Sequence, residues 1–272
     1  MNYNKNISAE SPIGVFDSGL GGLSIWKEIN QLLPNENTIY LADSKNAPYG
    51  EKSKQEIIDF SIKNTEYLLN KGCKMIVVAC NTATTNAIKV LRKNYSIPFI
   101  GIEPAIKPAA LQTKTNKIGV LATKGTLSSE LFISTSEQFR ASKDIIEVEG
   151  KGLVSLIEAG EIEATKPLLE EFLKPLINEG VDCVVLGCSH YPFLIPIIQS
   201  ILPQEIKIID SGEAVAKQTK NILEQNQLLN SIAPSKNVFY TNGNLSLMKR
   251  FLNQININSD AVFYEHFWKK IG

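Results

Sequence analysis

No stretch of this 272-residue chain approaches 18 consecutive apolar residues, and its first ten residues, Met1 to Glu10, are polar with no apolar leader core. Those two gaps speak against a membrane-spanning or secreted protein and make a cytoplasmic one the expectation. An excess of one charge is lacking too, since 28 Lys and Arg balance 28 Asp and Glu. Without a basic surplus or clustered aromatics and arginines, the chain has no general hold on a phosphate backbone, so nucleic acid is not an expected partner. Cysteines number four and histidines two. That is too few for a disulfide scaffold, and no histidine-rich helix exists to build a metal site. Proline and glycine are scattered rather than clustered, and 43% of residues are apolar. This is ordinary globular composition, enough for one large domain or two modest ones.

What is present is an alternation of short apolar runs and longer helical segments. Residues 13–16, 38–42, 75–79, 98–102, 117–121, 184–186 and 206–209 read as strands. Residues 23–33, ending before Pro34, and 52–70, ending before Gly72, read as helices. Runs apolar on both faces and separated by helices predict parallel strands covered on both sides, an α/β architecture.

The chain also resembles itself. NKGCKMIVVAC (70–80) and NEGVDCVVLGC (178–188) match at Asn70/Asn178, Gly72/Gly180, Val77/Val185 and Cys80/Cys188, an offset of 108 positions. Upstream, IGVFD (13–17) parallels IGVLA (118–122) at an offset of 105. Two successive α/β units of similar order explain both offsets. A boundary falls near residues 104–108, with the second unit, 105–210, followed by a tail too short for a third. The expected division is 1–104 with 211–272 as a discontinuous first domain, and 105–210 as the second.

Ligand sites in open parallel sheets lie beyond the carboxyl ends of strands. Cys80 and Cys188 both fall there, each after an apolar run and before a polar segment. A buried cysteine is commonly inert packing, but matching positions in both units favour reactive thiols. Cys73 and Cys183, earlier in the same segments, read as packing residues. Asp17 is either a helix cap or an acid addressing Cys80, and His190 either packs or serves Cys188 as acid or base. Zinc held by Cys80, Cys188 and His190 is a competing reading. His266, beside aromatics, reads as surface or packing.

DSGLGG (17–22) follows a strand and precedes a helix, which raises a dinucleotide site. The position three beyond Gly21 is Ser24 instead of glycine, and no Walker lysine follows Gly19. Asp43 only imitates a ribose-binding acid. The loop amides are still expected to cradle an anion such as a substrate carboxylate.

IGVFDSGLGG (13–22), ADSKNAPYG (42–50), VACNTATT (78–85) and LGCSHYP (186–192), in this order and spacing, resemble the glutamate racemases of the aspartate/glutamate racemase superfamily over about residues 12–268. The resemblance implies two pseudo-symmetric parallel-sheet α/β domains with the active site in the interdomain cleft. It implies interconversion of L-glutamate and D-glutamate without pyridoxal phosphate, metal or nucleotide, supplying D-glutamate for peptidoglycan. By it, Cys80 is the base toward D-glutamate and Cys188 the base toward L-glutamate. Asp17 assists Cys80, His190 assists Cys188, and Glu158 orients the histidine. Ser18, Tyr49, Gly50, Asn81, Thr82, Thr123, Thr126 and Ser189 match the substrate-binding positions. A homodimer is left open as the assembly. Two departures stand out: Ser189 replaces the more usual threonine, and residues 148–155 lack the cysteine–proline pair expected before Glu158.

Overall fold

The computed structural model describes residues 7–232, 234–257 and 261–264; His266 lies outside them. In chain order the elements are β1 (Ile13–Asp17), α1 (Leu23–Leu32), β2 (Thr38–Ala42), α2 (Lys54–Asn70), β3 (Met75–Val78), α3 (Asn81–Asn94), β4 (Phe99–Gly101) and α4 (Ile106–Gln112). There follow β5 (Lys117–Ala122), α5 (Lys124–Leu127), α6 (Glu130–Arg140), β6 (Asp144–Glu149), α7 (Leu153–Ala159), α8 (Lys166–Asn178), β7 (Cys183–Gly187) and α9 (Ile195–Ile201). The described chain closes with β8 (Lys207–Ile209), α10 (Gly212–Gln225), β9 (Asn237–Thr241), α11 (Leu245–Gln254) and β10 (Val262–Tyr264).

Two sheets form, ordered β10-β9-β2-β1-β3-β4 and β6-β5-β7-β8. Every strand pairing in both is parallel. The order β2-β1-β3-β4 is repeated as β6-β5-β7-β8, so β1 corresponds to β5 and β3 to β7, as the matched sequence segments require. Gly72 and Gly180 repeat the correspondence locally, with φ of 86° and 71° in the turns before β3 and β7. A Cβ on either would meet nothing within 4 Å. The backbone angle, not crowding, therefore calls for glycine at both turns.

Strands β1, β2, β3 and β7 are buried at every residue, the condition that made them legible as continuous apolar runs. Helix α1 turns Leu23, Ile25, Trp26 and Ile29 inward and stops short of Pro34. Helix α2 begins with a capping box: Ser53 Oγ accepts from Glu56 N–H, and the Glu56 carboxylate accepts from Ser53 N–H.

Two strands extend the first sheet beyond the repeated unit. Strand β9 pairs with β2 along five residues and β10 pairs with β9. Trp26 fixes this return. Its ring meets Phe239 edge-on at 4.8 Å, and its Nε1–H donates to Thr38 Oγ1 at 2.8 Å. One apolar cluster runs from Leu20, Trp26 and Phe239 through Val154, Ile157 and Leu186 to Tyr191, so both halves share a core.

Candidate active site

Strands β1 and β3 pair directly, placing Asp17 at the end of one beside Ala79 and Cys80 beyond the other. Cys80 is the N-cap of α3: its Sγ accepts from Ala83 N–H at 3.4 Å and lies 3.6 Å from Ser18 Oγ. Burial pushes the Cys80 thiol well above its ordinary value, and the negative charge of Asp17 adds to the shift. Cys80 therefore rests protonated.

Cys188 follows β7 at the equivalent place, with its Sγ 3.8 Å from His190 Nδ1. His190 Nε2 lies 2.6 Å from Glu158 Oε1. Burial by itself would depress the imidazole's pKa. The contacts with Cys188 and Glu158 and the charges of Asp17 and Glu158 outweigh it and raise the value well above the usual range. A cationic histidine thus stands beside the second thiol.

Both thiols line one small, tightly packed pocket, together with Ser18, Tyr49, Gly50, Asn81, Thr82, Thr123, Ser189 and His190. Pro48 and Val154 also line it, and neither was expected from sequence. Pro48, Gly50, Thr123 and Val154 also border a wider outer groove, which marks the side facing solvent.

Polar groups around the cavity come from both halves. Thr82 Oγ1 lies 2.9 Å from Thr123 Oγ1 and 3.3 Å from Thr126 Oγ1. Thr126 sits behind this pair, bonded to Thr123 at 3.1 Å, instead of on the cavity wall. Asn81 is buried at 2% exposure, and neither atom of its amide has a partner among the described residues. A buried amide left open at a cavity wall is a ready pair of contacts for a polar ligand.

Asp17 is fully buried, and its hydrogen bonds lead away from Cys80. It accepts from Ser189 Oγ at 3.0 Å and from Gly19 N–H at 3.1 Å. Burial raises its pKa while the charge of His190 opposes the rise. Asp17 thus reaches the Cys188 segment from the first half and acts on Cys80 through its field.

The glycine loop is partly committed to the protein itself. Its amides at Gly19 and Leu20 are already taken, by Asp17 and by Glu158 Oε1 at 2.5 Å. They hold protein carboxylates and are not free to cradle a substrate anion. The glycines serve close packing: a Cβ on Gly19 would lie 2.1 Å from Glu158 Oε1, and one on Gly21 2.3 Å from His190 Nδ1.

Asp43 is a buried participant that sequence reading passed over. Its carboxylate accepts from Tyr49 OH at 2.5 Å, Asn46 Nδ2 at 2.8 Å and Asn242 Nδ2 at 2.5 Å. Asn64 donates to the same tyrosine hydroxyl at 3.0 Å. Asp43 thereby fixes a ring that lines the cavity, and burial raises its own pKa to about 6. Cys73 and Cys183 lie buried in separate apolar clusters, as expected of packing residues. Cys73 Sγ packs near Gly14 at the opposite end of the first sheet from Cys80.

A duplicated parallel α/β framework, closing on one cavity that both repeat-matched thiols line, is the arrangement of amino-acid racemases of the aspartate/glutamate type. The Asp/Glu/Hydantoin racemase family matches residues 13–219. A glutamate racemase of Ectopseudomonas mendocina is 44% identical over 247 residues, covering 90% of this chain and 94% of the relative. A glutamate racemase from Bacillus anthracis superposes with a TM-score of 0.86 at 31% identity, covering 96% of this chain and all of that one. The structure of a Francisella tularensis glutamate racemase in complex with D-glutamate has a TM-score of 0.82 at 28% identity, covering 95% and 98%. The chain belongs to the Asp/Glu/Hydantoin racemase family, as one of its glutamate racemases.

Proposed function

We propose that the protein interconverts L-glutamate and D-glutamate by moving the α-proton between two thiols, with no organic cofactor or metal. The observation carrying this reading is that Cys80 and Cys188, matched across the repeat, line the same small cavity. Inversion at Cα requires a proton to leave one face and another to arrive at the opposite face. Starting from L-glutamate, the Cys188 thiolate takes the α-proton, its electron pair passes into the α-carboxylate, and Cys80 delivers its own proton to the other face. The reverse exchanges the roles. Cys80 rests as a thiol, the form this first direction consumes.

The charge developing on the carboxylate needs aimed donors. Asn81, with both amide atoms open, is the foremost candidate, joined by Ser18, Thr82, Thr123 and Ser189. One such donor contributes roughly 3 kcal/mol in comparable transition states. Tyr49 and Gly50 shape the wall, while Thr126 supports the threonine pair from behind. His190, kept cationic and oriented by Glu158, returns protons to Cys188 and stabilises its thiolate. Asp17 favours a protonated substrate ammonium.

The proposed domains are 1–104 with 211–272, and 105–210, a division supported by the return of β9 and β10 to the first sheet. D-glutamate made here feeds peptidoglycan synthesis, the role its family implies. All four cysteines are free thiols. Chemistry that needs two of them reduced favours a cytoplasmic setting. Among the described residues no helix is long and apolar enough to cross a membrane. A homodimer is the assembly proposed, for sedimentation to test.

Chiral chromatography after incubation with L-glutamate alone, and with L-aspartate in parallel, tests the function. Racemic glutamate with little change in aspartate is expected. Unchanged L-glutamate would refute the reading.

A further inference from the structure

Beyond the residues assigned above, Ser24 occupies a place that the reaction as proposed needs filled. It is the second residue of α1, in the first half, and its Oγ–H donates to the carbonyl oxygen of Ser189 at 2.9 Å. Ser189 is the residue between Cys188 and His190. Its side chain is held from the same direction, by Asp17 at 3.0 Å. Both polar ends of Ser189 are therefore gripped by the half of the molecule that carries Cys80. Asp17 belongs to β1, which pairs directly with β3, the strand that leads to Cys80.

We propose that Ser24 is a positioning residue that fixes the Cys188–Ser189–His190 segment against the first half, and so sets where the second thiol stands relative to the first. This rests on the reading that the protein racemises glutamate through both thiols. The physical need is plain. A thiol carried on a loop after β7 is placed by its own sheet only as well as that loop is rigid. A hydrogen bond to the Ser189 carbonyl fixes the peptide plane joining Ser189 to His190, and with it the approach of His190 Nδ1 to Cys188 Sγ. The turn around this peptide is closed locally by Tyr191 N–H on the Cys188 carbonyl at 3.1 Å, but that bond moves with the segment. Without the Ser24 contact the turn as a whole can shift against the first half, and small misplacement of a reacting group is costly to rate. Asp17 holds only the Ser189 side chain, through rotatable bonds, so Ser24 supplies the contact that ties the backbone of this turn to the first half.

The two thiols act at different steps, which supplies a test that general damage to the fold cannot imitate. Misplacing Cys188 raises the barrier for breaking the Cα–H bond of L-glutamate and leaves the Cys80 step unchanged. In Ser24→Ala the isotope effect on kcat/KM with α-deuterated L-glutamate should rise, and that with α-deuterated D-glutamate should fall. Because the enantiomers have equal free energy in water, kcat/KM itself should drop equally in both directions, by about 10-fold. Isotope effects are internal ratios, so a partly unfolded preparation would not alter them.

Ser24→Thr keeps the hydroxyl, and Ser24 borders a surface groove also lined by Lys27, Glu28, Pro192 and Phe193 that has room for a methyl. This variant should restore the parent isotope effects. Isotope effects in Ser24→Ala equal to the parent's for both enantiomers, or a threonine variant that behaves like alanine, would overturn the assignment. A parent protein inert toward glutamate would instead remove the functional reading itself, so the two failures are distinguishable.

Discussion

Glu158 Oε1 bridges His190 Nε2 at 2.6 Å and the Leu20 amide at 2.5 Å, so one carboxylate oxygen joins the proposed acid–base histidine to the glycine loop of the other half. The contact is 138 residues long in sequence on the loop side and 32 on the histidine side. It makes the orientation of the imidazole depend on how the two halves meet.

Glu158→Gln should therefore weaken both catalysis and stability, the latter with a particular pH dependence. His190 has a folded-state pKa well above its unfolded value near 6.5. A group raised in this way contributes stability that is fully present below about pH 6.5 and is lost as pH rises through the folded value. The melting-temperature gap between parent and variant should be widest below pH 6.5 and close at higher pH. A constant gap across the range would show that Glu158 does not hold the imidazolium. Turnover should fall about 10-fold or more, a part of what a positioned acid–base group supplies.

Cys80→Ser and Cys188→Ser should each cut racemisation by about 100-fold or more while leaving the far-ultraviolet circular dichroism unchanged. The single remaining thiol can still remove and return the proton on its own face. In deuterated water Cys80→Ser should wash deuterium into L-glutamate without inverting it, and Cys188→Ser should do so with D-glutamate. Near-parent racemisation by either variant would dismiss the thiol it lacks.

Asp43 offers a second pH signature, of opposite chemical origin. Its pKa of about 6, raised by burial, means that ionising it inside the fold is unfavourable. Stability is thus greatest below the unfolded value of 3.8 and declines as pH rises through about 6, by something on the order of 3 kcal/mol. Asp43→Asn should lose this decline, so parent minus variant stability falls between pH 4 and pH 7 in urea titrations. The variant should also raise KM several-fold, because an amide keeps one acceptor oxygen where the carboxylate uses two, and its NH2 must then face either Tyr49 or the Asn46 and Asn242 donors. A parent curve parallel to the variant's would contradict the buried assignment.

Far from the cavity, Lys74 and Glu36 form a buried ion pair at 2.6 Å, with side chains 0% and 1% exposed. Lys74 also donates to the carbonyls of Ala9 and Leu228, and Glu36 accepts from Asn230 N–H at 2.7 Å. Four chain segments meet there. Lys74→Met should destabilise by about 3–5 kcal/mol, since it leaves a buried carboxylate without its counter-charge. Pairing it with Glu36→Leu should recover much of the loss. Chemical denaturation of the two variants measures both, and a double variant weaker than the single would refute this account.

The sequence made the central strands readable for a local reason. β3 and β7 are covered on both faces, so their residues had to be apolar throughout, and the polar residues that follow had to emerge at the sheet's carboxyl end. β6 escaped notice because its segment, DIIEVE, is mixed in exposure and carries acidic residues outward, as an edge strand can. β9 likewise alternates partly exposed and buried positions.

By itself, the chain's order of residues determined the repeat, the parallel α/β class and the matched strand-end places of Cys80 and Cys188, all legible from short apolar runs and their recurrence about 108 positions apart. Only the packed molecule decided that both sulfurs share a cavity, that Asp17 reaches across to Ser189, that the glycine loop spends two of its amides on Asp17 and Glu158, and that Asn242 from the tail supports Asp43. Those contacts join residues up to 199 positions apart. Hydrogen bonds of that reach depend on which distant strands become neighbours in a sheet and on how two sheets are set against each other, a geometry that no window of neighbouring side chains encodes.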